Sequence, residues 1–395
     1  MATRTYRVIS GDSHLEIPCD WWTPHVAEEY RDRAPRRIRM PGGGDGFIGE
    51  GSPLIFGGTG HYAGHSPEDF NPMVPEHMDE APGSGPPDQR LREQDADGTD
   101  AELLFPSSTA MKVCRGIRSN AAFEAVIHAY NEYLAEEYCA HDPQRLLGVG
   151  VLPHRGLQGD IDEMEHCKRI GLPTVVVGRY PSRSNFPTAD DDVFWERAME
   201  LDMPLSIHTS MGGVRRGTFL PYPKKPEGEI TDDDYYNRMY RHAKEHAGGF
   251  EALQMVMAGV FDRFPKLHIY WPENNVGWIP YYYEQVDLEW ERNHHWGERL
   301  FGAAALDRPP SAYLKEHALW GFFDDPVGMK LRHEVGVDRI IWGSDFPHVV
   351  TTWPNTAKII GRETAGVPDE EKRKMMAQNI IDFLHLDGVA ESPGF

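Results

Sequence analysis

The chain has 395 residues, a formal net charge of −22 and no Lys/Arg-rich run, which argues against nucleic acid or an anionic membrane as a partner. It is long enough to bury a large core without staples. Its four scattered cysteines (Cys19, Cys114, Cys139, Cys167) show no paired spacing, so reduced thiols and a cytoplasmic location are expected. The start lacks an apolar signal stretch, and no run approaches the roughly 18 apolar residues of a membrane span.

Short β-rich runs alternate with longer helical patterns, as in parallel βα units. Residues 6–10 read as strand one, and a helical pattern over 88–96 leads into strand two at 101–105. A helix over 120–140 precedes strand three at 146–152, and another over 157–170 precedes strand four at 173–177. An acidic-capped helix at 190–201 leads to strand five at 204–208, and a helix at 250–264 to strand six at 267–271. Strand seven is expected at 317–323, then a short helix from about 325, then strand eight at 339–343. Eight strands with helices between them predict an α/β fold: one TIM-like (β/α)8 barrel domain over residues 1–395. Two Gly/Pro-rich or polar inserts, 35–87 and 209–246, follow strand ends and are expected over the barrel mouth.

The carboxyl ends of barrel strands converge on one mouth, where active sites are built. Asp12 and His14 are two apart in an extended segment and project to the same side. His208 closes the apolar run 204–207, and Glu273 closes another. Asp345 follows a buried run, and a carboxylate there must be paired or bound to a cation. Each residue alone has an ordinary structural explanation. Their joint placement at strands one, five and eight points to one divalent ion, Zn²⁺ or Mn²⁺, held by Asp12, His14, His208 and Asp345.

The motif Gly11-Asp12-Ser13-His14-Leu15-Glu16-Ile17-Pro18 resembles the strand-one motif of the amidohydrolase superfamily. The branch is the one that contains aminocarboxymuconate-semialdehyde decarboxylase and the resorcylate and carboxyvanillate decarboxylases. Trp342-Gly343-Ser344-Asp345-Phe346-Pro347-His348 resembles its strand-eight motif, His208 matches the strand-five ligand, and residues 90–106 and 379–386 are also similar. The resemblance implies a metal-dependent enzyme acting on a small substrate, and a homodimer. Its decarboxylases carry a catalytic histidine after strand six, where this chain has Glu273 and Asn274. His268 lies too early in that strand to substitute.

The leading expectation is therefore a hydrolase of an amide, ester or activated C–C bond. Asp345 would shuttle the proton, Glu273 would assist, and Arg179, His348 and Asn274 would contact substrate. Non-oxidative decarboxylation of an aromatic or enoic acid comes next, and a catalytically silent ligand-binding barrel third. His61, His65 and His77 match no ligand spacing and are expected as solvated loop histidines. Trp278 and Tyr281 to Tyr283 are expected in packing or a subunit interface.

Overall fold

A computed structural model describes residues 3–57, 61–66, 68–71, 77–79, 81–208, 247–301 and 305–394. Thirteen strands are described. β1 is Arg4–Tyr6, β2 Ile9–Leu15, β3 Arg36–Arg39, β4 Asp45–Gly49, β5 Ser52–Phe56, β6 Ala101–Pro106 and β7 Leu146–Val151. β8 is Thr174–Val176, β9 Leu205–Ser206, β10 Ile269–Trp271, β11 Ala318–Phe322, β12 Ile340–Trp342 and β13 Gly388–Ala390. Eight of them form one parallel sheet in the order β12-β11-β10-β9-β8-β7-β6-β2. A parallel bridge from Ser13 to Phe346 and the bond from His14 N–H to Phe346 C=O (2.6 Å) bring its two edges together into a nearly closed barrel.

Alternation along the strands builds the two layers of the core. Ile9, Leu103, Leu147, Val149, Tyr270, Leu319 and Ile341 fill the barrel interior together with the helix Asn379–Leu384. Ile269, Trp271, Trp320, Ile340 and Trp342 point the other way, into the layer beneath the surrounding helices. Gly343 is where the edges meet: a Cβ there would stand 2.6 Å from Asp12 Cβ, so only glycine lets β12 approach β2 this closely.

Strand one departs from expectation. Residues 6–10 do not form one strand, because the Asp100 carboxylate takes the amides of Arg7 (2.6 Å) and Val8 (3.0 Å) and breaks the run. The piece before the break, β1, pairs outside the barrel with β13. The piece after it, β2, runs on through Asp12 and His14, with a register shift between Ser10 and Ser13 against β6. Such a bulge re-aims side chains, and here it sits at Asp12. The long helix expected over 120–140 is an α-helix only over Asn120–Tyr133, followed by a π-turn at Leu134–Tyr138 and a 3₁₀ turn at Cys139–His141.

The first insert is not an unstructured loop, since β3, β4 and β5 form an antiparallel sheet inside it. It also lies against the strand-eight mouth: the amides of Tyr62 (2.8 Å) and Ala63 (3.1 Å) both donate to the Pro347 carbonyl. The second insert, 209–246, lies outside the described residues.

Candidate metal centre and active site

Four of the expected residues meet at the carboxyl end of the barrel. His208 Nε2 lies 3.2 Å from Asp12 Oδ1 and 3.1 Å from His14 Nε2. His14 Nε2 in turn lies 3.2 Å from Asp345 Oδ1 and 3.6 Å from Asp12 Oδ1. Asp12, His14 and Asp345 are buried, whereas the His208 side chain is 21 % exposed and forms the accessible side. Asp345 has φ 50°, a left-handed conformation held by its amide on the Asp12 carbonyl (2.7 Å).

This donor set fits a divalent ion. Two neutral imidazoles facing each other through Nε2 at 3.1 Å can share one N–H at most, while a cation satisfies both lone pairs. Asp12 Oδ2 is buried with no hydrogen-bond partner among the described residues. Burial, and then the positive charge of His348, pulls the His14 imidazole down to about 4, so it is neutral and free to act as a ligand.

The remaining expected residues divide. Glu273, with φ 59° at the end of β10, brings Oε2 to 3.8 Å from His208 Nδ1. It stands on the Nδ1 side of His208, the side on which outer carboxylates sit behind metal-binding histidines. Asn274 is fully buried and donates to the Pro272 carbonyl (2.8 Å), so it braces the strand-six turn. Arg179 is exposed beyond β8, and no contact among the described residues joins it to the cluster. His268 precedes β10 at the end opposite the mouth and bonds to Lys266 C=O.

His348 does more than line the pocket. Its ring lies tilted against His14 with centroids 3.9 Å apart, Nδ1 lies 3.2 Å from Asp345 Oδ1, and Nε2 lies 3.2 Å from Glu16 Oε1. Burial disfavours its charge, but Asp345 and Glu16 outweigh that and raise it to about 10. Burial likewise pushes the Glu16 carboxyl up, and the bond to His348 and the His348 charge hold it below the usual range. Ser107 Oγ donates to the other Glu16 oxygen (2.6 Å). Sequence reasoning missed Glu16, although it is two residues past His14 on the same face of an extended segment.

His61 also corrects expectation. It is 2 % exposed, lies near Ser84 Oγ (3.3 Å), and burial depresses it to about 4 against the pull of Glu16. The insert thus delivers a neutral histidine beside the Glu16–His348 pair. His77 and His65 are both exposed as expected, with the Arg39 side chain and the Gly44 amide at the His77 ring nitrogens. Trp278 donates to Asn274 C=O (2.9 Å), Tyr282 to Gly249 C=O (2.7 Å), and Tyr283 accepts from Trp320 (3.2 Å), so these three pack as expected.

A second network fixes the backbone under the cluster. Arg90 donates to Glu102 (2.6 Å) and to the His14 carbonyl (3.0 Å), and Glu102 also accepts from Ser13 (3.0 Å) and Gln94 (2.8 Å). Ser344 closes the link between strands eight and one through Ser10 (3.1 Å) and Ser13 (3.0 Å).

An eight-stranded parallel barrel with imidazoles and carboxylates gathered at its mouth defines a class of metal-dependent barrel enzymes. The Amidohydrolase family model matches residues 19–386, and the chain belongs to that family. A relative described as decarboxylase orsB, from Emericella nidulans, is 26 % identical over 251 residues, covering 58 % of this chain and 71 % of the relative. An amidohydrolase structure from Mycobacterium avium subsp. paratuberculosis K-10 matches at TM-score 0.69 and 18 % identity, over 96 % of this chain and 99 % of that one. A 5-carboxyvanillate decarboxylase from Novosphingobium aromaticivorans, complexed with manganese and 4-hydroxy-3-methoxy-5-nitrobenzoic acid, matches at TM-score 0.64 and 16 % identity, over 96 % of each chain.

Proposed function

We propose that this protein is a metal-dependent carboxy-lyase that removes CO₂ from a small aromatic or enoic acid. The observation that carries this is the placement of His348, whose ring nitrogens lie 3.2 Å from both Asp345 and Glu16, where it can supply the acid that Glu273 and Asn274 leave unfilled after strand six. Asp12, His14, His208 and Asp345 would hold one divalent ion, Mn²⁺ or Zn²⁺, which when bound offsets the charge of the substrate carboxylate and a neighbouring hydroxyl. His348 passes the proton on its Nδ1 to the Asp345 carboxylate beside it, which delivers it to the carbon that bears the substrate carboxylate. The C–C bond then breaks, its electron pair returns to the ring or double bond, and CO₂ leaves. Asp345 and Glu16 hold the donor in place, and Phe105, 4.7 Å from the His208 ring, gives the site an apolar wall. Arg179 remains the candidate for a substrate carboxylate arriving from the open side.

Hydrolysis is the second reading, favoured by Asp345 itself. Burial would raise its carboxyl, but the charge of His348 and the bonds to His348 and His14 hold it well below the usual range, so it is an ionised acceptor at the mouth. Assays of hydroxybenzoic acids and of their amides and esters, in D₂O and in ¹⁸O-water, separate the two. Decarboxylation of an acid puts deuterium on the carbon that lost CO₂ and no ¹⁸O in the organic product, whereas hydrolysis of an amide or ester puts ¹⁸O in the carboxylic acid released. We further read the chain as one domain and as a cytoplasmic homodimer. The four described cysteines are free and buried, and Tyr281, Trp296 and Leu300 are exposed on the helix Ile279–Phe301.

A further inference from the structure

Away from the mouth, two helices of the barrel's outer wall bring a second ligand set together. His128 and Glu132 lie one turn apart on Asn120–Tyr133, and His166 faces them from Leu157–Arg169. His128 Nε2 is 3.5 Å and His166 Nε2 is 4.0 Å from the same Glu132 oxygen, and the two rings lie 3.9 Å apart. One ligand atom from each residue falls within 4.8 Å of the others.

Two features go beyond proximity. His166 is only 5 % exposed, and its Nε2 is buried with no hydrogen-bond partner among the described residues, aimed at Glu132. A buried polar nitrogen left without a partner costs free energy that a bound cation would recover. His128 is also oriented for binding. Its Nδ1 is 2.9 Å from Glu163 Oε2, and the other Glu163 oxygen is held by Asn131 (2.8 Å). A carboxylate taking the Nδ1 proton leaves the Nε2 lone pair pointing outward, the arrangement found behind metal-binding histidines.

We propose that His128, Glu132 and His166 form a second metal site, for a borderline transition ion such as Zn²⁺, that clasps the two helices together. Two imidazoles and one carboxylate suit Zn²⁺, Cu²⁺ or Ni²⁺ better than the oxygen-preferring Mg²⁺ or Ca²⁺. Arg169 is the competing group. Its guanidinium lies 2.6 Å from His166 Nδ1, which fixes the proton on Nε2. A metal at Nε2 moves that proton to Nδ1, and the exposed Arg169 side chain must turn outward into solvent.

The test is Zn²⁺ binding by equilibrium dialysis, with the mouth disabled by His208→Ala. About one Zn²⁺ per chain is expected in that background, with affinity at least tenfold weaker when Glu132→Gln or His128→Ala is added, and stronger when Arg169→Ala is added. Glu132→Gln keeps the shape of a half-exposed side chain, so it tests the ligand without threatening the fold. Zinc uptake left unchanged by both Glu132→Gln and His128→Ala, or absent from the His208→Ala protein, would overturn the proposal. Mn²⁺ content at the mouth of the wild-type protein is a separate measurement, so the two sites stand or fall independently.

Discussion

His348 and Glu273 divide the acid and supporting roles proposed for the mouth. Glu273, at a strand end, reads as the acid or base, but it faces His208 Nδ1 rather than open space. His348 reads as lining the pocket or holding Asp345 in place, and its ring nitrogens lie 3.2 Å from both Asp345 and Glu16. The variants should therefore separate cleanly. His348→Gln is expected to keep the bound metal and lower kcat by about 10²–10⁴-fold, the usual worth of a positioned acid. Glu273→Gln is expected to weaken metal affinity by roughly tenfold, with kcat at saturating metal changed little. Both follow from metal analysis alongside steady-state rates. Metal loss in His348→Gln, or an unaffected rate, would move the acid role elsewhere. Glu16, Arg90 and Glu102 are positioning residues, acting through His348 and the His14 backbone.

At the scale of elements, the loops that close the barrel carry their own electrostatics. Asp325 caps the helix Pro326–Val335 through Gly328 N–H (2.8 Å) and also takes the amides of Val276 (2.6 Å) and Gly277 (2.7 Å), tying strand six to strand seven. Glu363, on the helix Thr356–Glu363, lies in the same region. Burial, then the neighbouring Asp324 carboxylate, raises its carboxyl to about 9. A carboxyl raised on folding binds its proton more tightly in the native state. Its contribution is thus present below the ordinary carboxyl range and is lost as pH rises toward about 9. Glu363→Gln should flatten that decline and gain on the order of 2 kcal/mol at pH 8, read by urea unfolding at pH 5 and pH 8. An unchanged slope would show that Glu363 is not the group responsible.

The elements were legible wherever a short β-rich run alternated with a helical pattern, because period and residue type then agree. Strands two to eight were found within a few residues of their observed bounds on that basis. What escaped was set by long-range contacts. Asp100 interrupts strand one from ninety residues away, and the first insert reads as Gly/Pro-rich loop although it folds into a sheet and carries His61 inward. No local pattern announces either.

At the scale of the whole molecule, the barrel holds its mouth residues in place through contacts that close it: Gly343 against Asp12, the Ser10–Ser13–Ser344 hydroxyls, and the Asp345 amide on the Asp12 carbonyl. An ion at the mouth would join strands one, five and eight, so loading should raise global stability by about 2.7 kcal/mol when free metal is one hundred times its Kd. A chelator should return the melting temperature to that of the metal-free protein. The most direct test of the central claim is the Mn²⁺ content of wild-type protein and His208→Ala after reconstitution and dialysis. The account predicts about one Mn²⁺ per chain in wild type and its loss in the variant. No stoichiometric metal in reconstituted wild type, or full retention in His208→Ala, would contradict it.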